Sequence, residues 1–156
     1  MPGHHAQEAP SLRAGRVVQV LVRYARGRVV LCDRYIYTAF ARDIARGLDP
    51  AWVRELYSFA VKPTGAFYFR VPLETAIGRL MDGRDELKYY EAGMDREFAD
   101  NEEDSFRIFQ GKILDEYDKM VSEFGLTVID ATRSILQQQH EMRKIITPQL
   151  KGLKRF

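Results

Sequence analysis

The chain has 156 residues, enough for one hydrophobic core and too few for several domains of ordinary size. Its 24 basic and 22 acidic side chains leave a net charge of +2, which gives no electrostatic case for nucleic acid or a membrane surface. No apolar stretch approaches the ~20 residues that span a bilayer, and residues 1–10 lack the hydrophobic segment of a secretory signal, so a cytoplasmic protein is the expectation.

Residues 1–12 read as a disordered tail, 13–148 as one α/β domain and 149–156 as a frayed basic end. His4 and His5 belong to the tail rather than to a metal site. Gly15-Arg16-Val17-Val18 recurs as Gly27-Arg28-Val29-Val30, but two copies make no solenoid. The stretch between them, residues 17–23, suits a strand by its β-branched content and a short helix by its spacing. Ala25 to Arg28 are too short a link for a parallel crossover, which favours the helix.

Val29-Val30-Leu31-Cys32 is a continuous apolar run that reads as a buried parallel strand. Cys32 is the one cysteine, cannot make an internal disulfide and reads as a small buried hydrophobe. Asp33 and Arg34 follow at the strand's carboxyl end, where α/β sheets place their ligand crevice. Asp33 is suited to a metal or its water, and Arg34 to a phosphate. A surface ion pair or a helix cap is the ordinary alternative.

A helix is expected over Tyr37–Arg46 and stops at Gly47. Asp49-Pro50 then supplies a cap and a first-turn proline for a second helix, with Trp52, Val53, Leu56, Phe59 and Ala60 at helical spacing. Lys62 to Gly65 form a turn, and Ala66–Val71 a strand. Pro72 opens a helix with Leu73, Ala76, Ile77, Leu80 and Met81 on one face. Gly83 to Asp100 are polar and read as a mobile excursion. Asn101 begins a long helix whose stripe is Phe106, Phe109, Ile113, Tyr117, Met120 and Phe124, ended by Gly125. Leu126–Ile129 is a third strand, closed by Asp130-Ala131-Thr132. The last helix spans about Ser134 to Ile146 and stops near Pro148. Helices alternating with apolar strands give an α/β class with a mainly parallel sheet.

Several residues in this order match one family. They are the strand followed by Asp33-Arg34-Tyr35, Lys62-Pro63 ahead of Tyr68-Phe69, Val71-Pro72-Leu73-Glu74 with Ala76 and Arg79-Leu80, the charged Gly83-Arg84 to Tyr90-Glu91 with Gly93, and Val128-Ile129-Asp130-Ala131-Thr132. Over residues 26–147 or so the chain resembles thymidylate kinase, a P-loop nucleoside monophosphate kinase. The resemblance implies a three-layer parallel sheet flanked by helices, lacking the first βα unit, and lineage chemistry of ATP-dependent phosphorylation of dTMP to dTDP. It implies ATP and Mg2+ as cofactors and dTMP as substrate. By the same resemblance Asp33 serves the metal and phosphate region, Arg34 contacts the monophosphate, Tyr35 is the adjoining aromatic and Thr38 lies near the acceptor nucleotide. Arg84, Lys88 and Glu91 fall in the lid that closes over ATP, Arg84 and Lys88 as catalytic cations and Glu91 on the substrate side. Asp130, Ala131 and Thr132 form the loop along the adenine. Such a set fits phosphoryl transfer, which needs positioning and positive charge more than covalent help.

Ordinary alternatives stand beside these roles. Arg84 and Lys88 suit a solvated charged loop, Tyr89 and Tyr90 suit cover for a helix, and Asp130 or Thr132 suits a cap for the last helix.

The sequence also departs from the family. None of its 156 residues forms the Gly-x-x-x-x-Gly-Lys-[Ser/Thr] phosphate loop. Ala41-Arg42-Asp43 stands where the family has Ala-Tyr-Gln. Tyr89 precedes Tyr90-Glu91 where Arg is common, and the neighbouring Lys88 supplies a point charge without the bidentate fork. The resemblance places the family's first strand between the Val29 strand and the Ala66 strand, so its absence leaves a gap. Pairing of the remaining strands, or with a second chain as in a homodimer, would close it. The expectation is weak or lost activity for this chain alone. The alternative is a non-catalytic nucleotide- or protein-binding remnant completed by a partner chain. Nucleic-acid binding through the basic ends is not supported.

Overall fold

The computed structural model describes residues 29–82, 89–90 and 92–150. Helix α1 (Ile36–Ala45) ends where Gly47 adopts φ +93°, a conformation open to glycine. Helix α2 (Pro50–Leu56) starts as expected: the Asp49 carboxylate accepts the Trp52 N–H at 2.8 Å and Pro50 occupies the first turn. Strand β1 (Phe67–Arg70) leads through Pro72 into α3 (Leu73–Met81).

Helix α4 (Glu102–Phe124) has 23 residues and is the spine of the fold. Asn101 caps it by accepting the Asp104 N–H at 2.8 Å, and Glu102, Glu103 and Asp104 place negative charge against the positive end of the helix dipole. Gly125, at φ +67°, terminates it. Strand β2 (Thr127–Asp130) pairs parallel with β1 in the register Phe67 to Thr127 through Arg70 to Asp130. Ser134 and Gln137 form a reciprocal capping box that starts α5 (Ile135–Gln149).

The core lies between α1 and α4. Phe40, Ala41, Val53, Tyr57, Tyr68, Phe109, Ile113, Met120 and Leu126 are buried in one cluster, and Ile77, Ala92 and Phe106 in a second. The apolar stripe expected along α4 is therefore the core face. The α/β class with a parallel sheet stands as well, with two strands paired among the described residues.

Five expectations change. Val29 to Cys32 form no strand; Val29 is 55% exposed, Leu31 is 87% exposed and Cys32 is exposed rather than buried. A parallel strand needs a neighbour for its N–H and C=O groups, and no strand among the described residues pairs with this run. Trp52, Leu56 and Phe59 are exposed, because the short α2 buries only the stripe of Val53, continued by Tyr57 and Ala60 beyond its end. The third strand is shifted one residue on, so that Asp130 closes β2. Within the expected excursion, Ala92 and Gly93 are buried and Met94–Arg96 form a 3₁₀ turn against the core. Finally α5 continues through Gln149, with Pro148 in its last turn.

The readings for residues 1–28 and 151–156 lie outside the described residues. Among the described residues no helix is long and apolar enough to cross a membrane.

Candidate functional site

The candidate site is built on two chain segments. The first is the bend before α1. Asp33 and Arg34 are exposed there, and Arg34 takes a left-handed backbone at φ +56°, a conformation that costs an L-residue roughly 1–2 kcal/mol. Neither side chain has an intramolecular hydrogen-bond or ion-pair partner among the described residues, so both are open to a ligand. Tyr35 follows, half-buried. Burial raises the pKa of its hydroxyl, and the Cys32 thiol beside it adds to the rise.

Thr38 lies in the first turn of α1, and its hydroxyl is already engaged. Its Oγ1 is 2.9 Å from Tyr117 Oη on α4. Tyr117 in turn stacks on Tyr68 of β1 at 4.9 Å between ring centroids. Burial, followed by the negative charge of Asp118, pushes the Tyr68 hydroxyl up to about 12. A hydroxyl donates once and accepts twice, so Thr38 keeps capacity for two further bonds.

The second segment follows β2. One Asp130 oxygen accepts the Thr132 N–H at 2.9 Å and the Thr132 hydroxyl at 2.6 Å, and the other faces Arg133 Nε at 3.3 Å. These bonds, the Thr132 hydroxyl first, hold the Asp130 carboxyl below its usual range. Ala131 is fixed from both sides: its N–H donates to Arg70 O at 2.9 Å and its carbonyl accepts from Arg79 at 2.9 Å. The loop is thus a rigid turn at the carboxyl end of β2, the position at which α/β sheets bind ligands.

Among the described residues no three His, Cys, Asp or Glu side chains group as a metal site. Magnesium is commonly held by one or two carboxylates together with substrate phosphates, and the exposed Asp33 carboxylate fits that donor set. Arg84, Lys88 and Glu91 lie outside the described residues. Arg79 and Tyr117 are the side chains that the sequence reading gave no site role. Arg79 sits inside the motif that begins at Val71-Pro72, and its spacing within that motif was the available signal. Tyr117 carried none beyond its place in the apolar stripe.

A family model for thymidylate kinase matches residues 12–142. The chain belongs to the thymidylate kinase family. It is 41% identical to a probable thymidylate kinase 2 of Saccharolobus solfataricus over 128 residues, which are 81% of this chain and 60% of that protein. It is 28% identical to a probable thymidylate kinase of Pyrococcus abyssi over 143 residues, 90% of this chain and 63% of that protein. A probable thymidylate kinase of Methanocaldococcus jannaschii is 26% identical over 118 residues, covering 72% of this chain and 50% of that protein. The chain therefore spans between half and two thirds of the length of these family members. Membership accounts for the order of elements, with β1 followed by α3 and β2 by α5.

Proposed function

We propose that these residues form the acceptor and base side of a thymidylate kinase, whose reaction is ATP-dependent phosphorylation of dTMP to dTDP. The observation that carries the reading is the Asp33–Arg34 pair, exposed and unpaired among the described residues, in a chain that matches the family over residues 12–142. Arg34 takes the phosphate of dTMP, for which its planar fork is suited. Asp33 holds magnesium or its water. The loop Asp130–Thr132 lines the base of ATP, and Arg84 and Lys88 supply positive charge to the moving phosphoryl group, with Glu91 beside the substrate. Phosphoryl transfer draws mainly on such positioning and charge, and on excluding water as a competing acceptor.

The reading carries further proposals with it: one domain over residues 13–148, the three-layer arrangement of the P-loop fold, a homodimer and a cytoplasmic setting. The 156 residues hold no phosphate-loop motif for the β- and γ-phosphates. Alone, then, they bind dTMP and turn it over weakly or not at all.

Calorimetry with dTMP and a coupled assay with ATP and Mg2+ test both halves. The expected outcome is dTMP binding that Arg34→Ala abolishes, with turnover far below the ~1–100 s⁻¹ of ordinary kinases. Turnover within that range contradicts the weak-activity half. Absence of dTMP binding contradicts the substrate assignment.

A further inference from the structure

We propose that Arg46, at the end of α1, is a positioning residue that straps residues 92–98 across the C-terminal end of that helix. The inference rests on the kinase reading for its purpose, holding α1, the helix that follows Asp33 and Arg34, to the core, and on geometry alone for its existence. Arg46 Nε lies 3.3 Å from the Asp95 carboxylate, one terminal nitrogen donates to the Tyr90 carbonyl at 2.9 Å, and the other donates to the Arg42 carbonyl of its own helix at 3.4 Å. Its guanidinium carbon stands 4.5 Å above the ring of Phe109, which is fully buried on α4. One side chain thus joins α1, the strap and the spine of the core. The Arg46 and Asp95 side chains are only 20% and 24% exposed, which sets the pair apart from a fully solvated surface ion pair.

The strap is shaped to receive that side chain. Gly93, at φ +70°, lies so close to Phe109 that an added Cβ would come within 2.9 Å of it. The Ser105 hydroxyl, buried, donates to the Ala92 carbonyl at 2.7 Å. Phe98 stacks on Phe109 at 5.9 Å, with Lys112 Nζ 4.5 Å from the Phe98 ring. On the helix side, the Arg96 guanidinium sits 3.3 Å from where a Cβ on Gly47 would be. A carboxylate, two carbonyls and an aromatic face around one head group call for a planar, multiply donating cation. Lysine offers a point charge and loses the fork.

Hydrogen exchange read by mass spectrometry on the whole chain tests this without a ligand. In Arg46→Ala, amides of residues 92–98 are expected to exchange at least about tenfold faster while those of β1 and β2 stay within about twofold. Gly93→Ala gives the same local pattern with every charge retained, and Arg46→Lys recovers part of the protection. Unchanged protection of residues 92–98 in Arg46→Ala overturns the proposal, as does an equal loss across β1 and β2. A dTMP titration of the parent chain is read separately: failure to bind sinks the kinase reading and leaves the exchange comparison to decide the strap.

Discussion

Thr38 and Tyr117, 79 positions apart in the chain, share a hydroxyl–hydroxyl hydrogen bond of 2.9 Å that ties α1 to α4. The bond lies at the first turn of α1 and is only partly buried, so it is expected to contribute about 1 kcal/mol to stability. Thr38→Val and Tyr117→Phe should each lower the unfolding free energy by about that amount in urea denaturation. The double variant should lose less than the sum, because the second change removes a partner already unsatisfied. Strict additivity would show that the two hydroxyls do not interact.

Two buried tyrosines make an alkaline transition. Burial pushes the hydroxyls of Tyr57 and Tyr68 up to about 12, assisted by Asp43 at the first and Asp118 at the second. In the unfolded chain a tyrosine titrates near about 10. The neutral form is favoured by folding, so this stabilisation is complete below pH 10 and is lost as pH rises through 12. Tyrosinate absorbance should develop in two groups, the later one rising together with loss of helical circular dichroism. A single group titrating near 10 would contradict the burial of both rings.

Arg54 holds α2 against the C-terminal end of α4. Its guanidinium makes both bonds of a fork to Glu123, at 2.5 and 2.6 Å, and lies 5.1 Å from the Phe40 ring and 5.6 Å from the Phe124 ring. Hydrogen bonding to Arg54 lowers the Glu123 pKa, so the contribution of the pair is present at neutral pH and is lost as pH falls through that lowered value. Arg54→Lys is expected to cost roughly 0.5–1.5 kcal/mol, because lysine loses both the fork and the stacking on the rings. The cost should shrink in acid. A Lys variant as stable as the parent at pH 7 would show that the fork contributes nothing.

Cys32 offers a direct check on the bend before α1. It is exposed, so a thiol reagent should label it fully and quickly in the native chain. Labelling that waits for denaturant would mean that residues 29–32 are covered, as a paired strand would be.

What the sequence made legible follows from the range of the forces involved. The cap at Asp49, the helix start at Asn101 and the helix end at Gly125 are settled within a few residues, and each was expected; the last helix is capped by Ser134 rather than by Asp130 or Thr132. The α4 stripe was legible because a long helix on a core repeats its period many times. The run at Val29 was misread because a strand exists only if another strand takes its hydrogen bonds, and local composition says nothing of that neighbour. Trp52 and Leu56 fall at helical spacing with Val53, yet the short α2 meets the core along one narrow stripe that leaves them exposed. The candidate site residues Asp33, Arg34 and Asp130–Thr132 were picked out by their order in the chain. The partnerships of Thr38 with Tyr117 and of Arg46 with Asp95 join residues 79 and 49 positions apart, and no local pattern announces them.

The central claim is that the bend at Asp33 and Arg34 is the acceptor phosphate site. Calorimetric titration of dTMP into the parent chain and into Arg34→Ala tests it most directly. The account predicts saturable binding to the parent and a loss of at least about tenfold in the variant, the scale of a charge-assisted phosphate contact. Equal affinity in the two chains, with the fold intact by circular dichroism, would contradict it.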